Sequence, residues 1–331
     1  MTLSELRFGS QLIDPPVLLA PMAGITDRPY RDVVAQFGAG LVVSEMIASQ
    51  DMVHAKTGTR EKAELGFQVG NTSVQLAGRE PYWMAEAAKL VEAQGAKFID
   101  INMGCPAKQV TSGQSGSALM RTPDLALSLV EAVVKATSLP VSLKMRLGWD
   151  HNSLNAPDIA RRAESAGVQM ITVHGRTRCQ FYKGRADWAA IAAVVDAVSI
   201  PVVANGDIVD VASAQSALRQ SGAAGVMVGR GAQGKPWVLA EIAAGLAGVP
   251  KPNVPDATAL VDLVSGHYQA MLSFYGSELG RRVARKHLGW YMDWTKTPTP
   301  QRRQILTAAN PDDVLKLLPD ALNCAEPKVA A

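Results

Sequence analysis

The sequence predicts an α/β fold: a (β/α)8 barrel of the TIM type, with a small all-helical domain following it. Two observations predict this. Short apolar, β-branched runs recur eight times, most of them separated by amphipathic stretches. After the eighth run and its helix no further strand signal occurs. Strand–helix alternation repeated eight times is the pattern of a closed parallel barrel.

The eight runs lie at residues 17–22, 41–46, 74–77, 98–102, 141–145, 170–174, 201–205 and 225–229. Each is continuously apolar rather than alternating, as strands buried on both faces require. Helices are predicted over 82–94, 124–136, 156–166 and 188–198. Two of these run into Gly95 and Gly167, residues suited to the left-handed conformation that ends a helix. Residues 49–71 are looser. The 245–255 stretch holds Pro250, Pro252 and Pro255 and reads as a linker, and 256–319 reads as wholly helical. The expected domains are a barrel over 1–248 and a helical domain over 256–325.

With 331 residues and 47% apolar content the chain can bury a conventional core. No apolar run approaches the roughly 18 residues of a membrane span, and no secretory leader is visible. Three cysteines, Cys105, Cys179 and Cys324, lack metal-site spacing and form no even disulfide set. A metal-free, monomeric protein of a reducing cytoplasm is expected, with no membrane partner.

Net charge is only +3, yet residues 279–303 carry seven cations against the single acid Asp293. That segment is +6 and leaves the rest of the chain at −3. Arg281 and Arg285 stack at i, i+4 on the predicted helix, as do Arg282 and Lys286. A cationic helix face with so few acids suits a phosphate backbone, although a solvated surface has the same appearance.

In such barrels chemistry gathers at the C-terminal ends of the strands. Polar or special-backbone residues stand at nearly every one: Pro21-Met22-Ala23, Glu45, Gln75, Asn102 with Cys105, Lys144 with Arg146, His174 with Arg176, Asn205-Gly206-Asp207 and Gly229-Arg230. The last two turns follow strands seven and eight, where many barrels bind phosphate through backbone N–H groups. Arg230 suits a dianion there. Two ordinary tight turns would look the same. Lys144 within an apolar strand is either a salt-bridge partner or a cation set against developing negative charge. Gln75 suits the edge of a heterocycle or a satisfied core amide. His174, at a strand exit before Gly-Arg, suits proton transfer or donation to a carbonyl. Cys105 ends a strand before a Gly- and Pro-broken loop. As a thiolate it would be a nucleophile; as the thiol, its main form near neutrality, it would be an acid. The sequence leaves both open.

Six segments then carry a family resemblance: Ala20-Pro21-Met22-Ala23-Gly24-Ile25-Thr26-Asp27, Asp100-Ile101-Asn102-Met103-Gly104-Cys105-Pro106, Ser142-Leu143-Lys144-Met145-Arg146, His174-Gly175-Arg176-Thr177, Ala204-Asn205-Gly206-Asp207-Ile208 and Arg285-Lys286-His287. In order and spacing they resemble the tRNA-dihydrouridine synthases, and the bacterial DusB subgroup most. The resemblance implies an FMN-bearing barrel, recharged by NADPH, that adds hydride to C6 of a tRNA uracil while Cys105 protonates C5. It implies FMN contacts at Pro21, Met22, Ala23, Gln75, Lys144, His174, Asn205, Gly206, Asp207, Gly229 and Arg230. Asn102, Arg146 and Arg176 would meet the substrate base, and Arg281, Arg282, Arg285 and Lys286 the tRNA backbone. Two other readings compete. An FMN oxidoreductase of a free pyrimidine such as dihydroorotate has no use for the basic helix. A non-enzymatic RNA-binding regulator has no use for Cys105, Lys144 and His174 together.

Overall fold

The computed structural model describes residues 5–56, 64–66 and 71–323. Cys324 and part of the looser 49–71 stretch lie outside these. Eight parallel strands close into a barrel: β3 (Val17–Leu19), β4 (Leu41–Val43), β6 (Thr72–Ala77), β7 (Phe98–Met103), β8 (Val141–Arg146), β9 (Met170–His174), β10 (Val202–Asn205) and β11 (Gly225–Val228). Neighbours in sequence are neighbours in the sheet; β11 pairs back onto β3, and β4 pairs with β6 to complete the ring. Every strand of the ring is wholly buried except at His174, the last residue of β9.

The predicted second strand breaks after Val43, and β5 (Ile47–Ala48) resumes alongside β6. The side chain of Ser44 explains the break. Its hydroxyl accepts the N–H of Gln75 at 3.0 Å, a donor that a continuous ladder would give to a carbonyl.

An N-terminal hairpin, β1 (Arg7–Phe8) with β2 (Gln11–Leu12), was not foreseen. Gly9 turns it with φ +62°, and a Cβ there would sit 2.8 Å from Pro140. Leu6, Phe8 and Ile13 pack with Leu18, Leu41, Phe98, Met170, Val203 and Met227 in one apolar cluster. Phe8 stacks on Phe98 with ring centroids 4.6 Å apart. The hairpin thus seals the barrel at the N-terminal ends of its strands.

The helices between strands follow the predicted spacing: α1 (Arg28–Gln36), α2 (Ser49–Val53), α3 (Pro81–Ala93), α4 (Lys108–Thr111), α5 (Pro123–Ala136), α6 (Ala156–Ser165), α7 (Ala189–Val195), α8 (Val211–Ser221) and α9 (Val238–Ala247). Asp27 caps α1 by accepting the N–H of Tyr30 at 3.0 Å. Asp210 and Ser213 form a capping box at α8, and Gly222 ends that helix with φ +69°.

The chain divides into two compact units. One comprises Met1–Gly231 with Leu239–Pro250, the other Ala232–Val238 with Lys251–Ala331. The short segment before α9 groups with the second unit. That unit contains α10 (Ala257–Tyr275), α11 (Ser277–Thr295), α12 (Thr299–Thr307) and α13 (Pro311–Leu322). Leu260, Val264, Tyr268, Met271, Ala284, Leu288, Tyr291, Val314 and Leu318 are buried in it. Gly280 lets α11 approach α10 closely, since a Cβ there would lie 2.6 Å from the carbonyl of Met271. Among the described residues no helix is long and apolar enough to cross a membrane.

Phe8→Ala removes the ring that fills the sealed end of the barrel. It is expected to lower stability by about 3–5 kcal/mol, measured by urea unfolding.

Candidate functional site

Side chains alternate along a strand, so Phe98, Asp100 and Asn102 of β7 share one face. Phe98 belongs to the apolar cluster; the next two are polar. In register, Gln75 stands beside Asp100 and Asp100 beside Ser142. One step toward the C-terminal ends, Asn102 stands beside Lys144 and Lys144 beside Thr172. The interior thus changes from apolar to polar along the strand direction.

The polar layer is a connected chain. Gln75 Nε2 donates to Asp100 Oδ2 at 2.6 Å, and Ser142 Oγ donates to Asp100 Oδ1 at 2.6 Å. Asn102 Nδ2 donates to Gln75 Oε1 at 2.7 Å. Lys144 Nζ donates to Asn205 Oδ1 at 3.0 Å, and Asn205 Nδ2 to the carbonyl of Met227 at 2.8 Å. Burial pushes the Asp100 carboxyl up to about 6, against the pull of its two donors and of Lys144. Burial pushes Lys144 down to about 8, against the pull of Asp100.

Asn102 also holds the cysteine loop. Its Oδ1 accepts the N–H groups of Gly104 at 3.2 Å and Cys105 at 3.0 Å. The carbonyl of Cys105 accepts from Ser117, at 3.1 Å from its N–H and 2.8 Å from its hydroxyl. Gly104 in turn gives its carbonyl to Arg146 Nε at 2.8 Å. Gly116, at φ +59°, leaves room for this loop: a Cβ would come within 2.9 Å of the Cys105 carbonyl oxygen. Cys105 is a half-buried free thiol whose backbone is fixed on three sides.

The two arginines expected at the substrate also bond the protein. Arg146 Nη1 donates to the carbonyls of Thr177 and Phe181, each at 2.9 Å. Arg176 forms a double bond pair with Asp207, at 2.9 and 2.6 Å, and donates to the carbonyls of Lys183 at 3.1 Å and Gly184 at 2.7 Å. Both are buried. They staple the 177–186 loop over the barrel end because a guanidinium offers five donors in a rigid fork. Asp207 is correspondingly committed: its carboxylate takes Arg176 and the N–H of Ala186 at 2.8 Å. Burial raises its proton affinity, but Arg176, the Ala186 N–H and Arg230 together outweigh that and hold it below the usual carboxylate value.

The same arginine fixes the chemistry of His174. Arg176 Nη1 lies 3.3 Å from His174 Nε2, and a guanidinium only donates, so Nε2 accepts and Nδ1 carries the proton. Burial, with Arg146, Lys144, Arg176 and Arg230 nearby, keeps His174 well below its ordinary value and neutral.

The two turns expected at phosphate differ in how much freedom they retain. Gly206 and Asp207 have φ +112° and +54°. A Cβ on Gly206 would lie 2.7 Å from His174. At Gly229 a Cβ would meet nothing closer than 3.7 Å. Arg230 is the exposed cation here, 3.4 Å from Asp207 and 5.0 Å above the Tyr182 ring. Tyr182, itself exposed, also receives Arg146 at 5.6 Å. Across the mouth, the 21–26 turn closes on itself, with Met22 N–H donating to Thr26 Oγ1 at 2.9 Å. Pro21 and Met22 are half-buried and Ala23 is exposed. The buried Glu45 accepts from the N–H of Gly24.

A flavin fits this set of groups. The buried ammonium of Lys144 spends one of its three donors on the protein, and the Gly206–Asp207 turn, both residues at positive φ, lies beside an exposed arginine.

In the helical unit, Arg282 and Arg285 are exposed on α11 and Lys286 is half-buried. Arg281 turns inward, donating to the carbonyl of Ala308 at 3.1 Å and pairing with Glu278 at 3.4 Å. The expected four-cation face is therefore narrower than the i, i+4 spacing implies.

The dihydrouridine synthase family model matches residues 18–326, spanning all the motifs above. The chain belongs to the dihydrouridine synthase family. A probable tRNA-dihydrouridine synthase of Rhodobacter capsulatus is 63% identical over 312 residues, 94% of this chain and 96% of that protein. A protein of the same description from Rhizobium leguminosarum bv. phaseoli is 54% identical over 311 residues, 93% of this chain and 95% of that protein. The tRNA-dihydrouridine synthase B of Xanthomonas axonopodis pv. citri is 44% identical over 315 residues, 95% of each. Among solved structures, histamine dehydrogenase from Rhizobium sp. 4-9 aligns over 81% of this chain with a TM-score of 0.57 at 12% identity. This chain spans half of that protein, and the likeness concerns the fold alone.

Asp100, Ser142, Ser117 and Tyr182 were not among the expected site residues. Asp100 and Ser142 lie inside the motifs, but a sequence does not show which strand neighbours satisfy them.

Arg176→Lys keeps the charge and loses the fork. The 177–186 loop, which holds the trypsin sites Arg178, Lys183 and Arg185, should then be cut faster in limited proteolysis. The circular dichroism of the barrel should be unchanged.

Proposed function

We propose that this chain reduces uridines in tRNA to 5,6-dihydrouridine, using FMN in the barrel mouth and NADPH as the reductant of the flavin. The observation that carries the reading is a free thiol, Cys105, with its backbone pinned at the end of a polar barrel beside a buried lysine, in a member of this family. The choice of FMN and NADPH rests on the family resemblance.

Gly206, Asp207 and Gly229 would hold the cofactor phosphate by backbone N–H groups, with Arg230 supplying charge. Lys144, Asn205 and Gln75 would meet the ring system, and Lys144 would offset negative charge there. When bound and reduced, a flavin held by these residues would supply the hydride that C6 of the uracil ring accepts. The electron pair of the C5=C6 bond is then left at C5, conjugated with the C4 carbonyl, and Cys105 protonates that carbon. The thiolate that remains recovers its proton from solvent, so one hydride and one proton are added across one double bond.

Acid rather than nucleophile is also the role that the surrounding groups favour. His174 is neutral, and its Nε2 already accepts from Arg176. It is not set up as the base that would make a thiolate. A uracil within folded tRNA must leave its stack to reach such a mouth, and backbone contacts elsewhere hold the RNA meanwhile. The exposed pair Arg282 and Arg285 suits that task, and an enzyme of free pyrimidines gives no reason for it.

Cys105→Ala and the parent protein should both purify yellow, and NADPH should bleach both under anaerobic conditions. Only the parent should then pass those electrons to tRNA at an appreciable rate. Equal reoxidation by tRNA would remove the thiol from the mechanism.

Replacing Arg282 and Arg285 together by alanine should weaken tRNA binding. It should also lower the slope of log K against log salt by about two, one for each lost phosphate contact. Flavin reduction by NADPH should not change. Filter binding across a salt series measures the slope.

A further inference from the structure

We propose that Asp100 is a positioning residue that sets the direction of the hydrogen-bond chain ending on the Cys105 loop. The catalytic consequence rests on the reading of Cys105 as the acid; the chain itself rests on geometry.

An ionised carboxylate accepts and never donates. Ser142 Oγ and Gln75 Nε2 must therefore both donate to Asp100, which they do at 2.6 Å. With its nitrogen committed, Gln75 presents Oε1 to Asn102, and Asn102 must answer with Nδ2, at 2.7 Å. Asn102 is then left with Oδ1 facing the N–H groups of Gly104 and Cys105. The two ends of a primary amide are nearly equal in size, so shape alone does not choose between them. The choice is made from both ends: the two backbone N–H groups ask for Oδ1 at the loop, and Asp100 holds Gln75 so that its Oε1 answers the Asn102 amide. Were Asn102 turned over, its NH2 would oppose two backbone N–H groups and the loop would lose both bonds.

The charged group facing Asp100 from the adjoining strand is Lys144, which is itself tied to Asn205. It supports the ionised state of Asp100 and takes no part in the amide chain.

Asp100→Asn keeps the volume and removes the obligation, because an asparagine can offer Gln75 either an oxygen or an NH2. Adding Gln75→Glu moves the acceptor-only group one link along. Asn at 100 must then donate to Glu at 75, and Asn102 must again donate to that carboxylate and keep Oδ1 for the loop.

The test is hydrogen exchange of the Gly104 and Cys105 amides in flavin-free protein, followed by single-turnover oxidation of pre-reduced enzyme by tRNA. In D100N, exchange of these amides should accelerate about tenfold or more, and oxidation by tRNA should slow by about tenfold to a hundredfold. In the Q75E/D100N double variant the exchange should return to the parent rate, a rescue that loss of packing alone does not give. Parent-like exchange in D100N, or a double variant that exchanges like D100N, overturns the proposal. Should D100N not fold, Gln75→Met severs the chain at its middle and leaves Asp100 its serine. The same acceleration is expected there, and parent-like exchange overturns the proposal. If Cys105→Ala still reduced tRNA while D100N exchanged fast, the acid role would fall and the positioning role would stand.

Discussion

A carboxylate sealed inside a closed barrel can only accept hydrogen bonds, and the mouth of this barrel is arranged around that constraint. Asp100 is buried with donors from both adjoining strands and a lysine one register step away. A buried charge without partners is expensive enough that the group would sooner neutralise. Here the cost is offset by two short bonds and an opposite charge, at the price of fixing every neighbour. Gln75, Asn102, Ser142 and Lys144 are each left with one workable orientation. Beneath them the hairpin residues Leu6, Phe8 and Ile13 close the other end with apolar bulk.

The arginines extend the same logic outward. Arg146 and Arg176 give their donors to carbonyls and to Asp207, so they act as struts for the 177–186 loop. Their charge is not consumed by this. It acts on His174, whose proton affinity falls through burial and through the cations around it. With Nε2 facing the Arg176 donor, the neutral form favoured here carries its proton on Nδ1. Hydrogen bonding to a carbonyl suits such a group; shuttling a proton does not.

How much of this was legible in the sequence depends on whether one strand or several carry the signal. The eight runs were readable because burial on both faces leaves a continuous apolar stretch, and that requires no knowledge of neighbours. The hairpin was not, since two-residue strands with Arg7, Gln11 and Leu12 exposed have no period to detect. The break after Val43 depends on one hydroxyl, that of Ser44, meeting an amide thirty-one residues away. The strand exits announced the polar ring, yet gave no means of separating residues that face a ligand from residues that hold a loop. Arg176 and Arg281 look like the other cations until their carbonyl partners are seen. Asp100 stands in plain view within its motif, and only the register Gln75–Asp100–Ser142 shows what it does.

Cys105 gains from being placed on a loop held in this way. Had it ended β7 directly, its sulfur would alternate with the interior polar layer and compete for those donors and acceptors. Two residues past Met103, the backbone is held instead: Asn102 below, Ser117 on the carbonyl, and Arg146 on Gly104. Among the described residues no side chain hydrogen-bonds the sulfur itself. The protein thus fixes where the thiol stands while leaving its proton uncommitted. A proton donor needs that division, because any internal acceptor for the S–H would have to be displaced before a carbanion could take its place. A nucleophile would call for the reverse, a base bonded to the sulfur and a loop free to follow the bond that forms.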